Sequence, residues 1–161
     1  MEYQLAQINL AKMLAAYEDP IMADFIANLD RVYDAAYESE GFVWMIKDED
    51  PANLIKYFKE DLLLVNLSVW ENTESLFNYV YKSVHGEILK RKKEWFGKMP
   101  EIYMALWYVP KGHKPTETEA AERLIHLQKK GETPFAFSFK KRFTIQEFEA
   151  FSLQKEQELH T

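Results

Sequence analysis

His85 is the residue best suited to acid–base chemistry. It lies beside an apolar stripe on a helix predicted to start at Asn72 or Thr73, and it follows Tyr81 by four residues. Side chains four apart on a helix are neighbours, so we expect His85 to lie beside Tyr81. A histidine pKa near neutrality suits a general base or an axial ligand. A structural imidazole, hydrogen-bonded to a carbonyl or a tyrosine hydroxyl, is the alternative.

Polar side chains alternate with aliphatic ones on two predicted strands. Gln7 and Asn9 share one face of the first strand, and the third strand carries Asn66, Ser68 and Trp70 on one face. If the faces coincide, amides and an indole converge, and they could orient a carbonyl or an enolate in an apolar pocket. The alternative is that the amides bond backbone groups and the indole fills the core.

These patterns together predict one site, a pocket between the sheet and the helix of His85. A buried amide without a partner costs roughly 1–3 kcal/mol, so a core built only for stability would carry aliphatic residues here. The predicted catalytic residues are His85, Asn66 and Trp70. The predicted substrate-binding residues on this face are Gln7, Asn9 and Tyr81.

His113 is a further predicted substrate-binding residue. It lies in Pro110-Lys-Gly-His-Lys-Pro115, a rigid basic loop that could clamp an anionic group or close over a pocket. A solvated connector fixed by its prolines is the alternative. The chain has no cysteine and no His-Glu-x-x-His helix, so we predict no metal site.

The elements that must position these residues alternate in a recognisable order. Residues 1–110 read as strand–helix–strand–strand–helix–strand, which predicts an α+β fold with a ferredoxin-like antiparallel sheet and two helices on one face. The first helix begins at Asp19-Pro20, and the second runs toward Trp95-Phe96. Gly41, just past the first helix, is expected to be left-handed.

The chain of 161 residues is predicted to form one domain over 1–153. Its core is 1–110, and its extension, 111–153, contains a helix from Glu117 to Lys130 and a short strand over Phe135–Phe139. Residues 154–161 are predicted to be a frayed tail.

Composition and charge exclude several classes of function. The net charge of −6 argues against a nucleic-acid partner. The longest uncharged apolar stretch, Leu62–Trp70, is too short to span a bilayer, and the N-terminus has no signal-peptide pattern. We therefore expect a cytoplasmic protein with no membrane partner.

The sheet face away from the two helices is also apolar. Leu63, Val65, Leu67 and Val69 form an aliphatic face on the third strand. A single short C-terminal helix is too small to cover four strands, so we predict that a second subunit covers this face in a two-fold homodimer.

Several strings, in this order, resemble the bacterial family of domains of unknown function numbered 3291, over about Tyr3–Phe139. The most specific is Leu106-Trp-Tyr-Val-Pro-Lys-Gly-His-Lys-Pro115, with Arg123-Leu124 after it. The others are Leu5-Ala-Gln-Ile-Asn9, Gly41-Phe-Val-Trp44, Leu64-Val-Asn-Leu-Ser-Val-Trp70, Ser83-Val-His85 and Glu94-Trp-Phe96.

The resemblance implies the dimeric α/β-barrel superfamily, in which two ferredoxin-like sheets pair across a two-fold axis. Its members include cofactor-free antibiotic-biosynthesis monooxygenases, haem-degrading monooxygenases, muconolactone isomerases and stress-responsive proteins. Haem-degrading relatives pair an asparagine, a tryptophan and a histidine roughly where Asn9, Trp70 and His85 stand. The 15 residues from Trp70 to His85 exceed the spacing in that pattern, so haem is a minor alternative and no cofactor is expected.

Two functions of different class fit these observations. The first is a small-molecule enzyme, monooxygenase-like or an isomerase, that acts on an apolar or aromatic carbonyl compound. His85 would abstract a proton and the amides would hold the resulting anion. The alternative is a non-catalytic ligand-binding or stress-response protein that holds a small apolar molecule.

Overall fold

The computed structural model describes residues 1–46, 62–99 and 102–160, and an antiparallel sheet organises them. In chain order the elements are β1 (Tyr3–Met13), α1 (Ala23–Glu38), β2 (Phe42–Met45), β3 (Leu63–Trp70), α2 (Thr73–Lys82), α3 (Val84–Lys90), β4 (Phe96–Gly97), β5 (Met104–Pro110), α4 (Glu117–Lys130) and α5 (Ile145–Leu159).

Strand β1 lies at the centre of the sheet. It pairs with β3 on one side and with β5 on the other, and β2 lies beyond β3. The two-residue β4 pairs with the last residues of β1. All these pairings are antiparallel, so the described residues form an α+β fold with an open five-stranded sheet. The predicted central pairing of the first and third strands is confirmed.

The start of the first helix is also confirmed, with a short turn in front of it. The Asp19 carboxylate accepts a hydrogen bond of 3.0 Å from the Ile21 N–H, which caps a 3₁₀ turn over Pro20–Met22 that leads into α1. After α1 the chain reverses at Gly41, whose φ of 83° is the left-handed value expected there.

The predicted second helix is wrong in one respect, because it breaks at Ser83. Extended backbone at Ser83 ends α2, and its hydroxyl accepts from the His85 N–H at 3.1 Å, so Ser83 begins α3 as its N-cap. Gly86 then packs so closely on the Tyr81 carbonyl that a Cβ would lie 2.7 Å from that oxygen. Tyr81 and His85 therefore lie on different helices.

The two faces of the sheet are covered by different helices. On one face Leu5, Trp70 and Leu106 pack with residues of α1 and α2, as predicted. On the other face Ile8 and Trp107, both fully buried, pack against α4. Helix α4 buries the centre of this aliphatic face within the chain, and a second subunit against the rest of the face stays a prediction.

The C-terminal extension differs from prediction in two places. The predicted strand over Phe135–Phe139 is reduced to two isolated bridges, Leu106 with Phe137 and Thr133 with Ala136. The tail predicted to fray from Gln154 continues as α5 to Leu159, because helix-forming residues and a Thr144–Glu147 capping box support it. None of the described helices is both long and apolar enough to cross a membrane.

We expect Gly41→Ala to destabilise the fold more than Gly112→Ala. Both glycines have positive φ, 83° and 89°, so both changes carry a backbone cost. A Cβ at Gly41 would also overlap Ser75 Oγ, whereas nothing lies within 4 Å of one at Gly112. The overlap should add about 1–3 kcal/mol to the loss in free energy of unfolding, measured in urea. Equal losses would contradict the packing at Gly41.

Candidate functional site

The predicted polar residues share the sheet face that α1 and α2 cover. Cross-strand pairing sets Asn9 opposite Asn66 and Gln7 opposite Ser68. We call Gln7, Asn9, Asn66 and Ser68 the polar layer. The Gln7 amide donates to Ser68 Oγ at 2.9 Å, and the Trp70 indole donates to the same oxygen at 2.9 Å. Gln7 and Ser68 of the polar layer therefore already have hydrogen-bond partners within the protein.

Asn9 is the exception in the polar layer. Its Oδ1 is buried and has no hydrogen-bond partner among the described residues. An amide oxygen without a donor costs roughly 1–3 kcal/mol. This oxygen is therefore an open acceptor next to Asn66.

Trp70 is fully buried, so a ligand cannot reach it in this structure. Its ring stacks on Tyr79 with centroids 5.0 Å apart, and Tyr79 in turn contacts the His85 ring, also at 5.0 Å. Tyr79 was missed by the sequence analysis, because the predicted continuous helix assigned Tyr81 as the neighbour of His85. The Tyr79 hydroxyl donates to the Val32 carbonyl at 3.2 Å, and burial raises its pKa.

His85 is held as a neutral imidazole. Its Nδ1 lies 3.1 Å from the Val80 carbonyl, and because a carbonyl only accepts, Nδ1 carries the proton and Nε2 the lone pair. Burial lowers the pKa of His85 below its usual 6.5, although the bond to Val80 opposes this. The neutral ring is compatible with a general base. The hydrogen bond to a backbone carbonyl is what the alternative, a structural imidazole, predicts.

Tyr81 does not join this cluster. Its side chain is 50% exposed and contacts Phe77 and Phe139 at 4.7 and 5.9 Å. The expected helical spacing of Tyr81 and His85 is wrong, since the break at Ser83 puts them on different helices, and the ring contact of His85 is with Tyr79.

Haem does not fit the residues that suggested it. Trp70 is fully buried, and the His85 ring packs against Tyr79. In the part of the chain that the structure describes, no three His, Asp or Glu side chains are grouped to hold a metal ion.

An open cleft of about 560 Å³ lies beside β5, and His113 is in its wall. We call it the β5 cleft. Its wall includes three aromatic residues, Tyr3, Tyr108 and Phe148, and three polar ones, His113, Glu119 and Arg123. The Phe148 ring lies 5.3 Å from Tyr3 and 5.8 Å from Tyr108. A cleft of this size and composition suits a small aromatic molecule.

The Glu119 carboxylate links the loop of His113 to the sheet. One oxygen accepts from the fully buried Trp107 indole at 2.9 Å, and the other lies 2.7 Å from His113 Nε2. Thr116 places Glu119 there, because its hydroxyl accepts the Glu119 N–H and begins α4. Sequence analysis missed Glu119, although the spacing Thr116-x-x-Glu119 is the signal of a capping box.

The turn before α4 brings His113 to this carboxylate. The His113 N–H donates to the Pro110 carbonyl at 2.9 Å, and Gly112, at φ 89°, occupies the third position of that turn. Because a carboxylate only accepts, Nε2 donates to Glu119, and Nδ1 is the ring nitrogen left to exchange a proton with a ligand. A histidine paired in this way can accept a proton while the carboxylate stabilises the imidazolium.

Comparison with known proteins identifies a family and no activity. A family model described as "Domain of unknown function (DUF3291)" matches residues 4–153. No curated protein matches the chain, and no solved structure matches it. The chemistry of the site is therefore what distinguishes the functions open to this protein.

We expect Glu119→Ala to destabilise the fold and His113→Ala to leave it nearly unchanged. The first change strips a buried indole N–H of its acceptor and should cost about 1–3 kcal/mol. The second removes one member of a pair in which the histidine side chain is 42% exposed, and such pairs contribute about 0–1 kcal/mol. Urea unfolding of both variants measures the difference. A larger loss for His113→Ala would contradict it.

Proposed function

Since the chain belongs to the DUF3291 family, whose description names no activity, we propose its function from the β5 cleft. The protein is a small-molecule enzyme that removes a proton from an apolar or aromatic carbonyl compound. The observation that carries the proposal is the Glu119 carboxylate, which binds the His113 imidazole and the Trp107 indole together in the cleft wall.

The cleft supports a ligand with an aromatic group. Tyr3, Tyr108 and Phe148 give it faces and edges against which a ring can pack. Tyr108 is held firmly, since its hydroxyl donates to the Phe143 carbonyl. The chain as a whole carries a net charge of −6, which keeps nucleic acid outside the proposal.

Proton transfer is the step that His113 supports. The lone pair on Nδ1 takes a proton from the carbon next to the carbonyl, and Glu119 stabilises the resulting imidazolium. The other product is an enolate. Return of the proton to a different position completes an isomerisation. In the monooxygenase alternative that the resemblance implies, the enolate carbon bonds to dioxygen to give a peroxide. The O–O bond then breaks with loss of the remaining proton on that carbon, which gives a new carbonyl and water, so the substrate supplies all the electrons. We keep both outcomes within the proposal.

The test is exchange of carbon-bound protons in D₂O. A panel of aryl alkyl ketones and arylpyruvates, which all carry a C–H next to the carbonyl, is followed by proton NMR with and without protein. We expect the protein to accelerate loss of the α-proton signal for at least one compound. His113→Gln should reduce that acceleration by about 100-fold or more, because general-base catalysis contributes factors of that size. His85→Gln, at the alternative site, is measured in the same assay and should leave the acceleration unchanged if the chemistry takes place in the β5 cleft.

The outcomes separate the functions that the sequence left open. Binding without any exchange would overturn the enzyme and favour a non-catalytic ligand-binding protein. Exchange that His85→Gln abolishes and His113→Gln spares would move the chemistry to the polar layer.

The polar layer with His85 is a second candidate place for the same reaction. The observations that favour it are the unpartnered Asn9 Oδ1 and the neutral His85 ring. The sequence analysis also assigned Gln7, Asn66 and Trp70 to this place, and hydrogen bonds join Gln7 to Asn66 and Ser68, and Trp70 to Ser68. A donor group on a ligand would satisfy the Asn9 oxygen.

We also propose a cytoplasmic homodimer with paired sheets, although α4 covers the centre of the aliphatic face from which the dimer was predicted. Trp44, Ile46 and Val65 remain only partly buried on the β2 side of the aliphatic face, where a partner could pack. Sedimentation equilibrium at micromolar concentration should give twice the mass of the chain. A monomer would contradict the dimer and leave the cleft unaffected.

A further inference from the structure

Arg123 places a positive charge in the wall of the β5 cleft. It lies on α4 four residues after Glu119, so the two side chains are neighbours on one helix face. Its Nη1 donates to the Phe135 carbonyl at 2.8 Å, and its guanidinium lies 3.7 Å from the centroid of the Phe135 ring. These two contacts hold the guanidinium plane in one orientation.

This charge has no acidic partner. Within the described residues no carboxylate forms an ion pair with Arg123. The neighbouring Glu119 uses one oxygen for Trp107 and the other for His113. Arg123 Nε is buried without an acceptor, and burial lowers the Arg123 pKa even though Glu119 and Glu122 oppose the shift. The fold therefore desolvates this cation without giving it a direct ion pair, although Glu119 and Glu122 lie near it.

We propose that the ligand of the β5 cleft is an aromatic carboxylic acid whose carboxylate binds the Arg123 guanidinium. A guanidinium binds a carboxylate through two parallel N–H···O bonds, so the ligand would supply the negative charge that forms an ion pair with Arg123. The aromatic part then packs against Tyr3, Tyr108 or Phe148. The inference rests on the proposed function only in taking the cleft as the ligand site.

The charged side chains of the cleft favour a ligand with one negative charge over a ligand with two. Glu119 and Glu122 line it together with Arg123, so a doubly charged phosphate ester would meet repulsion that a carboxylate meets less. Glu119 lies between the two groups that would act, because it bonds His113 and neighbours Arg123 on α4. An arylpyruvate offers a group to each, a carboxylate for Arg123 and the CH₂ beside its ketone for His113. This class deepens the proposed reaction.

The test compares ligands of one shape and different charge. Phenylacetate, phenylacetamide and phenyl phosphate are titrated into the full chain, and the Trp107 indole N–H signal is followed by NMR. We expect phenylacetate to bind about 10- to 100-fold more tightly than the amide, the value of one charged hydrogen-bonded pair. Phenyl phosphate should bind more weakly than phenylacetate, and Arg123→Gln should abolish the preference for phenylacetate over the amide.

Lys130→Gln is the control variant. It removes one exposed positive charge at the other end of α4, outside the cleft wall, so it should retain the preference, and thermal unfolding checks that both variants fold. The comparison of ligands on the unaltered protein stands even if a variant does not fold. The inference is overturned if phenylacetate does not bind, if the amide binds equally, if phenyl phosphate binds more tightly, or if folded Arg123→Gln keeps the preference.

The two proposals fail in different ways. A charge preference without any exchange of α-protons would overturn the proposed reaction and support the ligand class. Exchange that is as fast for the methyl ester of phenylpyruvate as for phenylpyruvate would support the reaction and overturn the ligand class.

Discussion

The burial of β1 on both faces is the constraint on which the rest of the structure depends. Leu5 on one face and Ile8 on the other are both fully buried. A strand of this kind requires a cover on each side of the sheet. Helices α1 and α2 supply one cover and α4 supplies the other, so residues after β5 complete the core. The C-terminal extension is therefore part of the fold, and the β5 cleft forms where α4 begins.

Covering the second face of the sheet buries an indole N–H, and one carboxylate accepts its hydrogen bond. Trp107 lies beneath α4 with no exposed surface, and its indole N–H needs an acceptor. Glu119 in the first turn of α4 provides that acceptor, and its second oxygen remains for His113. On the opposite face Ser68 Oγ has the comparable task and accepts from both Gln7 and Trp70. Both candidate sites are thus built around the acceptor of a buried indole N–H. Only in the β5 cleft does that acceptor also bind a histidine at the edge of a cleft.

Sequence periodicity predicted the sheet well because alternation records which face is buried. It set the amides of β1 and β3 on one face, and the pairing of Asn9 with Asn66 agrees. It also placed α4 at Glu117–Lys130 without error. It could not predict the break at Ser83, since the stripe of α2 continues past that residue. The role of Glu119 was equally hidden, because a pattern along the chain does not reveal which buried donor needs an acceptor.

The Trp107–Glu119–His113 arrangement belongs to one contiguous stretch of chain. Its bonds join residues 12 and 6 apart, whereas the Gln7–Ser68 bond of the polar layer joins residues 61 apart. Closing the 12-residue loop costs roughly 1.4 kcal/mol less in chain entropy than closing the 61-residue loop, by the logarithmic dependence on loop length. A strand, a turn and the first turn of a helix are enough to define it. In folding terms this segment can acquire its geometry locally, while the polar layer exists only after distant parts of the chain have met.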